Sequence, residues 1–556
     1  MNTVRSKRVI RRIGDWTPHH RRMHLDRLNE PVLADTMAVT PSDPPPAPPA
    51  DLLKPDLDAN IALLRDKLQN AADVVFRPLI GSFGKRGWIV YVDGLSDMEL
   101  IDAHVLKSLI QAEPKATDPS RPLAITLPEE AAEQVTTASV KPVRTLSEAV
   151  EAIIVELQVV LFLEGTATAL ALNAGGGENR AISEPDAEAV VRGPREGFNE
   201  SLRTSITLLR RRVRTPDLAI ETMQLGTYTQ TKVALCYIRG IADAEIVSEV
   251  RTRLKRIDTD SIIDTGYIEE FIEDNPFSPF PQIQNTERPD VVASMLVEGR
   301  VAILADGSPF ALIAPINFWG ALQAAEDYYE RFPIVNLIRW LRYLFMFIAL
   351  YLPSLYVAIT TFHQEMLPTK LLLSIAAARE VTPLPAIAEC LLMEITFEAL
   401  REAGIRLPKA VGSAISIVGA LVIGQAAVEA GIVSAPMVIV VAITGIASFV
   451  IPRYSFAIAI RILRFGMILL GGTIGLFGII AFTIVIIIHL SSLRSIGVPY
   501  LMPVSPLTRK NMRDIVSRPP HWAMRWRPIE TSKPNSQRQS QAMAPAQRMP
   551  RGKRRI

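Results

Sequence analysis

The stretch 479-IIAFTIVIIIHL-490 is almost entirely apolar, and it belongs to the last of several apolar segments in this chain. Each segment is about 20 residues long, and a helix that rises about 1.5 Å per residue crosses a hydrocarbon layer of about 30 Å with that length. Because backbone amides in lipid must hydrogen-bond within their own segment, each segment is predicted to be a membrane helix. A soluble helical bundle is the alternative. The segments cover residues 343–362, 411–430, 433–452 and 466–489.

Arginines beside these segments indicate how a helical membrane domain at residues 331–505 is oriented. Arg339 and Arg342 precede the first segment, which places its start on the cytoplasmic side. No apolar leader typical of a secretory signal peptide opens the chain, so the preceding region is expected in the cytosol. Arg453, Arg461 and Arg464 fit less well, since four crossings leave them outside. A fifth crossing relieves this but moves the basic C-terminus outside, and we keep four.

The charge of the whole chain is nearly balanced, but both ends are basic. The 556 residues include 21% charged side chains and carry a net charge of +3. The Pro-rich 43-DPPPAPPA-50 closes a leader at 1–50 that is predicted to be disordered, like the tail at 506–556. Such ends either lie on an anionic membrane surface or are solvated. Nucleic acid is not an expected partner, because no aromatic residues interleave with the basic C-terminal run.

The polar region before the apolar segments is predicted to be α/β and to contain two related small modules. The first, at 51–185, has a helix, a strand, two helices and a hairpin, whose segments are 56–71, 88–92, 97–111, 146–157 and 159–172. The second, at 186–330, repeats strand, helix, helix and hairpin at 232–238, 242–256, 289–298 and 300–315. Aligning 91–94 with 237–240 brings the two hairpins nearly into register, which indicates an internal duplication.

The segment between the modules contains a run of glycines and then a charged string. Gly175, Gly176 and Gly177 lack the Gly-Lys-Ser/Thr sequence that a phosphate-binding loop requires, so a flexible linker is the better interpretation. Arg192 and Arg195, with Glu196, follow in 192-RGPREGFNE-200. The arginines either clamp a carboxylate or fix an interdomain contact, and we favour the contact.

No pattern in the chain is typical of an enzyme or of a metal site. The histidines are scattered, and neither HExxH nor GxSxG occurs. Cys236 and Cys390 are far apart, so neither a disulfide framework nor a structural zinc site is expected. We therefore expect a protein that is not an enzyme and that has no cofactor.

The region between the first two apolar segments contains an acidic helical face. Glu394, Glu398 and Glu402 recur at i, i+4 spacing, so they share one side of a helix. Three charges are costly in lipid, so this side is expected to meet water, cations or Arg401 and Arg406. Two interpretations remain open, namely an interfacial amphipathic helix with a solvated face and an ion vestibule.

Several long strings occur in one order along the chain. They are 192-RGPREGF-198, 267-YIEE-270, 279-PFPQ-282, 286-TERPD-290, 298-EGRVAILADGSPF-310, 326-EDYYER-331, 352-LPSLYVAI-359, 366-MLPT-369, 398-EALREAG-404, 423-IGQAAVEAGIVS-434 and 496-IGVPYLMP-503. Together they resemble the A subunit of GerA-family spore germination receptors. The resemblance covers roughly 75–505, while the basic leader and the tail beyond 510 depart from the family core.

The resemblance implies a multi-pass protein of the spore inner membrane, with its N-terminal modules in the spore core. It implies two partners, a transporter-like B subunit that binds the nutrient and a lipoprotein C subunit. It further implies that A subunits form homo-oligomers and provide a ligand-gated path for ion release. The alternative is a non-conducting scaffold that couples the nutrient-binding subunit to other germination proteins.

A closed channel needs a constriction, and the segment 411–430 offers candidate gate residues. Ser413 and Gln425 are neutral polar groups that a pore tolerates, and Ile417 and Leu421 lie one turn apart on the same face. Rings of such apolar side chains close pores by excluding water. Small residues four apart in this segment also suit close helix packing, which is the competing interpretation.

Overall fold

Two five-stranded antiparallel sheets with the same strand order occupy the chain before the apolar segments. The computed structural model describes residues 51–80, 85–111, 132, 135, 139–176, 184–185, 187–406, 424–508 and 511–540. The first sheet has the order β1-β2-β4-β5-β3. Its strands are β1 (Val74–Ile80), β2 (Arg86–Val92), β3 (Val140–Val143), β4 (Val159–Leu163) and β5 (Ala169–Leu172).

Helices cover both faces of the first sheet, because alternate residues of its strands are apolar on opposite sides. In β2, Val90 and Val92 pack under α1 (Leu57–Lys67) and α3 (Leu146–Ile154). Ile89 and Tyr91 pack under α2 on the other face. The helix α2 is α-helical at Met98–Leu100, a π-helix at Ile101–Leu106 and α-helical again at Lys107–Gln111. The result is a three-layer α/β/α module.

The second sheet repeats this arrangement with the order β6-β7-β9-β10-β8. Its strands are β6 (Leu218–Leu225), β7 (Thr231–Ile238), β8 (Gln284–Thr286), β9 (Val301–Ala305) and β10 (Ala311–Ala314). The helices α5 (Ala244–Lys255) and α6 (Thr265–Ile272) cover one face. The helices α4 (Leu202–Arg212) and α7 (Pro289–Val297) cover the other. Under the alignment of 91–94 with 237–240, Ile89 of the first sheet corresponds to Leu235 of the second. Ile89 pairs with Leu161 and Leu235 pairs with Ile303, so the predicted duplication appears in the strand register as well.

The strands that the sequence interpretation missed, β1, β3, β6 and β8, are the outermost strands of the two sheets. An edge strand pairs on one side only, so it tolerates proline and polar residues. Pro78 lies in β1, Pro142 lies in β3, and β8 consists of three polar residues. The composition of β1, β3 and β8 therefore carried less strand signal than that of the central strands.

After the modules, six α-helices have both of their ends within the described residues. They are α8 (Phe332–Phe362), α9 (Thr369–Arg379), α10 (Ala386–Arg406), α11 (Ala435–Phe449), α12 (Tyr454–Ile474) and α13 (Leu476–Ser492). Among the described residues, α8 and α12 are long and apolar enough to cross a membrane, and α11 and α13 are shorter apolar helices. Most of the predicted segment 411–430 lies outside the described residues.

The predicted span at 466–489 is wrong as a single helix. Gly475 has φ +72°, which ends α12 and lets α13 begin directly afterwards. The two helices then fold tightly together, since a Cβ added at Gly478 would lie 2.4 Å from the carbonyl oxygen of Leu470. Arg461 and Arg464 were predicted to lie between two spans. In the structure they belong to α12 itself.

The second module packs directly on this helical block. Phe280 and Phe318 come from the module side, and their rings lie 5.9 and 5.2 Å from the ring of Phe456 in α12. Ser278 Oγ is 2.8 Å from His489 Nε2 at the end of α13. These contacts form one apolar core that joins the module to the helices.

Residues 511–540 differ from the disordered tail that their composition predicted. They include two 3₁₀ turns, Asn511–Asp514 and His521–Ala523, and they run back over the second module. Arg527 is buried and its Nε donates to the carbonyl of Val297 at 2.9 Å. Lys533 pairs with Asp243 at 2.7 Å. The segment is ordered because acidic and carbonyl groups of the module meet its basic residues.

Candidate functional site

The acidic face of α10 packs against the basic residues of α12. Glu394 pairs with Arg464 at 2.9 Å, and their side chains are 1% and 2% exposed. One turn further along α10, Glu398 pairs with Arg461. The two glutamates are four residues apart and share one face of α10, and the two arginines are three residues apart and share one face of α12. Because α10 and α12 pack antiparallel, both ion pairs form between these faces. The described structure thus contains a short ladder of opposite charges, Glu394–Arg464 and Glu398–Arg461, which we call the charge ladder.

Arg401 adds a third positive charge beside the charge ladder. Its Nη2 donates to Ser448 Oγ in α11 at 2.6 Å, and its guanidinium carbon lies 4.3 Å from the ring centre of Phe449. The helices approach closely here, because a Cβ added at Gly445 would lie 2.5 Å from the ring of Phe397. The position of Arg401 is therefore set by α11 rather than by an acidic partner.

The charge ladder is only partly satisfied. Glu394 Oε1, Glu398 Oε2, Arg464 Nε and Arg464 Nη1 are buried and have no hydrogen-bond partner among the described residues. A buried ion pair gains from its partner but loses hydration, and each unpaired polar atom adds a further cost. The arrangement is therefore not one that stability alone would favour.

At the other end of α10, Glu389 is completely buried and binds the start of α11. Its Oε2 accepts from the amide of Ser434 at 3.0 Å and from the Ser434 hydroxyl at 2.8 Å. Arg379 of α9 lies 3.5 Å from its other oxygen. This carboxylate caps α11 and is well satisfied, so it serves packing rather than chemistry.

A second buried charge cluster lies where the second module meets α8. Asp327 accepts from Arg339 Nε at 3.1 Å and from Arg342 Nη1 at 2.7 Å. Arg339 also pairs with Asp514 at 2.9 Å. The orientation of the first segment was predicted from these two arginines. In the structure they also anchor α8 to the module and to residues 511–540.

The predicted site residues lie in different places. Glu402 is exposed and pairs with Arg406 on its own helix at 2.6 Å. Gln425 is exposed and donates to Glu429 at 2.8 Å, while the other candidate gate residues, Ser413, Ile417 and Leu421, lie outside the described residues.

The candidate interdomain contacts are three ion pairs near the start of the second module. Arg192 lies 3.6 Å from Glu330, Arg195 lies 3.3 Å from Glu184, and Glu196 lies 2.5 Å from Arg212. The contact that buries most charge between the modules is a different one, Arg210 with Asp73. Sequence reasoning missed it because α4 and β1 were not predicted.

Within the described residues, no group of three or more His, Cys, Asp or Glu side chains is positioned to hold a metal ion. Cys236 and Cys390 are both buried and unpaired. The chemistry that the charge ladder offers is therefore that of fixed charges facing each other between helices.

Comparison with known proteins places the chain in a family. The family model described as Bacillus/Clostridium GerA spore germination protein matches residues 62–530, so the match includes part of the tail that the sequence interpretation left outside. From Bacillus subtilis, the Uncharacterized membrane protein YfkQ is 49% identical over 87% of this chain and 93% of its own length. Spore germination protein KA is 45% identical over 90% of this chain and 91% of its own. Spore germination protein A1 is 40% identical over 86% and 96%.

A solved structure is also similar to part of the chain. It is the N-terminal domain of the A subunit of the Bacillus megaterium spore germinant receptor GerK3, at 36% identity and a TM-score of 0.38. The similarity covers 48% of this chain and 97% of that one. On the family match and the identities to its relatives, this chain belongs to the GerA family of spore germination proteins.

Proposed function

We infer that this chain is the A subunit of a nutrient-responsive receptor in the spore inner membrane, and that its copies assemble around a ligand-gated path for ion release. Its partners are a transporter-like B subunit that binds the nutrient and a lipoprotein C subunit. The two α/β modules face the spore core, and the apolar helices cross the membrane. Family membership supports the receptor role, and the observation that carries the conducting role is the charge ladder.

Buried charges between apolar helices favour conduction over pure assembly. A scaffold needs only apolar contacts between helices, and replacing a buried ion pair by apolar residues is often neutral or stabilising. Ionisable residues within apolar helices are instead typical of ion paths and of moving elements. Glu394, Glu398 and Glu402 accordingly remain our candidates for an ion vestibule, and Arg192, Arg195 and Glu196 for interdomain contacts.

The spacing of the charges also allows a second pairing. If α10 moves by one turn, about 5.4 Å, Glu398 reaches Arg464 and Glu402 reaches Arg461. Each pairing gives both arginines a glutamate partner. We propose that the charge ladder changes between these two registers when the nutrient signal arrives.

The test is ion flux from the three-subunit complex reconstituted in liposomes. We expect potassium release after addition of a mixture of amino acids and sugars, and none before it. Liposomes with the B and C subunits alone serve as the control. A complex that assembles normally, binds nutrient and releases no ion would support the scaffold instead.

Ile417 and Leu421 are the proposed gate. Ile417→Ala or Leu421→Ala should let ions leak without nutrient, because the smaller side chains rehydrate the constriction. Spores should then germinate spontaneously at a normal protein level. A reduced protein level without leakage would show that these residues only pack.

A further inference from the structure

We propose that a cavity between the second module and residues 511–540 binds a small oxyanion, such as phosphate or a carboxylate, through Arg300. The inference goes beyond the proposed function and does not depend on ion conduction. The cavity has a volume of about 110 Å³ and lies at the end of the module that meets α8. Its wall includes Arg300, Trp319, Tyr328, Met524, Arg525 and Trp526.

Arg300 is the reason for assigning an anion to this cavity. The residue is 7% exposed, and its Nε and Nη1 are buried without a hydrogen-bond partner among the described residues. No carboxylate in the described part of the chain lies within 4.0 Å of this guanidinium. Burying a charged donor unpaired is costly, so an anion in the cavity that accepts from this guanidinium would be favoured.

The acidic residues in the wall do not provide that acceptor. Glu298 pairs with Arg538 at 2.7 Å. Asp514 pairs with Arg339 at 2.9 Å and accepts from the Tyr328 hydroxyl at 2.8 Å. Glu530, the remaining carboxylate in the wall, also makes an interaction. Because these carboxylates are occupied, Arg300 is left with the excess positive charge.

The chemistry of the wall limits what can bind. A guanidinium presents parallel N–H groups that match two oxygens of a carboxylate or a phosphate. The rings of Trp319 and Trp526 add apolar surface beside it. The volume of about 110 Å³ suits an anion of a few non-hydrogen atoms better than a nucleotide.

Pro528 and Glu530 line the cavity, and the segment that contains them rests on the turn before β9. Gly299 has φ +86°, and a Cβ there would lie 2.4 Å from the carbonyl oxygen of Thr531. The Thr531 hydroxyl donates to the carbonyl of Glu298 at 2.6 Å. An anion on Arg300 would therefore bind at the contact between the C-terminal segment and the second module.

The experiment uses the full-length protein purified in detergent, titrated by calorimetry with sodium phosphate or sodium acetate at constant ionic strength. We expect saturable binding of at least one anion, and the two titrations separate a phosphate site from a carboxylate site. Arg300→Gln should weaken the affinity at least tenfold, and Arg300→Lys should weaken it less because one charged donor remains. Arg256→Gln, an exposed arginine on the same module, should bind as the unchanged protein does.

Hydrogen exchange provides a second measurement that needs no variant. The anion that binds should slow amide exchange over residues 521–532 in the unchanged protein. Amide exchange over the first module should slow by a smaller factor. Binding that Arg300→Gln leaves intact would overturn the proposal. So would the absence of binding by both anions, or binding that leaves exchange over residues 521–532 unchanged.

Discussion

Arg210 and Asp73 form a buried pair that joins the two α/β modules across 137 residues of sequence. The Nε and Nη2 of Arg210 each donate to one oxygen of Asp73 at 2.7 Å, and the two side chains are 0% and 2% exposed. Nη1 donates to the carbonyl of Thr215 at 3.0 Å. The arginine is thereby nearly saturated, and the first module is held against α4.

Removing one charge of this pair should destabilise the protein severely. Asp73→Asn leaves Arg210 buried without its counter-ion, which costs about 3–5 kcal/mol. The measurement is thermal unfolding of the purified protein. A matched control is Arg203→Gln, which breaks a second pair between the modules, Arg203–Asp93, whose side chains are 49% and 40% exposed. That loss should cost about 0–1 kcal/mol, and equal effects of the two variants would contradict the argument.

Gly307 should not accept a β-branched residue. It has φ +86° in the turn between β9 and β10, as the sequence predicted for Asp306-Gly307. Gly307→Val should destabilise the hairpin by about 1–3 kcal/mol, and Gly307→Asn by less, because asparagine tolerates positive φ. Amide exchange of β9 and β10 in the full-length protein measures the difference. Equal exchange in the two variants would show that the turn conformation is not the constraint.

Glu269 of α6 should make stability depend on pH. Burial, and then the negative charges of Glu273, Asp264 and Glu270, raise its pKa from 4.5 to about 7. Between these values the folded state keeps a proton that the unfolded state has released, so stability falls as the pH rises and is constant above about 7.

The variant Glu269→Gln should remove that part of the pH dependence, which amounts to about 1–3 kcal/mol. Melting temperatures at pH 5 and pH 7.5 for both proteins give the comparison. Glu270→Gln, at the exposed neighbouring position, is the control and should retain the loss of stability. A Glu269→Gln protein that loses as much stability as the unchanged one would refute the pKa argument.

The proposed orientation predicts which residues a membrane-impermeant thiol reagent can reach in intact cells. Tyr228 of the second module and Met366 just after α8 are 83% and 62% exposed. If α8 crosses the membrane with the modules inside, Tyr228→Cys should be shielded and Met366→Cys labelled.

The native cysteines should not interfere with this assay. Both are buried, and burial raises the pKa of the Cys236 thiol to about 12. Ser96, in contrast, is a poor position for the label because it is buried. Labelling of both introduced cysteines to the same extent would contradict the crossing.

The charge ladder should respond to reversal of its charges in pairs. Glu394→Arg alone places like charges together in a buried site, so the protein level in membranes should fall. The double variant Glu394→Arg with Arg464→Glu should restore the level, because the pair is rebuilt in reverse. Failure of the double variant to recover would show that the pair is not the determining contact.

The proposed second register makes a separate prediction for Glu402. This residue is outside the resting pairs, so Glu402→Gln should leave the protein level unchanged. It should nevertheless reduce nutrient-triggered ion release, because Arg461 would lose its partner after the one-turn movement. Ion release equal to that of the unchanged complex would exclude this movement.

Features that depend on local periodicity could be predicted from the amino-acid sequence. The apolar runs of β2 and β7, the spacing of α5 and the glycine turns of both hairpins are local, and each was predicted close to its observed bounds. The acidic face of α10 was also visible, because i, i+4 spacing is a property of one helix. What that face meets was not visible.

Which distant groups meet depends on how the helices and strands pack, and this was seen first in the structure. The edge strands pair through backbone groups, the break at Gly475 depends on how α12 and α13 fold back, and the tail is ordered by acidic groups of the second module. Glu394 and Arg464 face each other because two helices pack antiparallel, and Asp73 and Arg210 because two modules dock. Periodicity along one segment specifies the face that a residue occupies, whereas its partner is chosen by the packing of segments far apart in the chain.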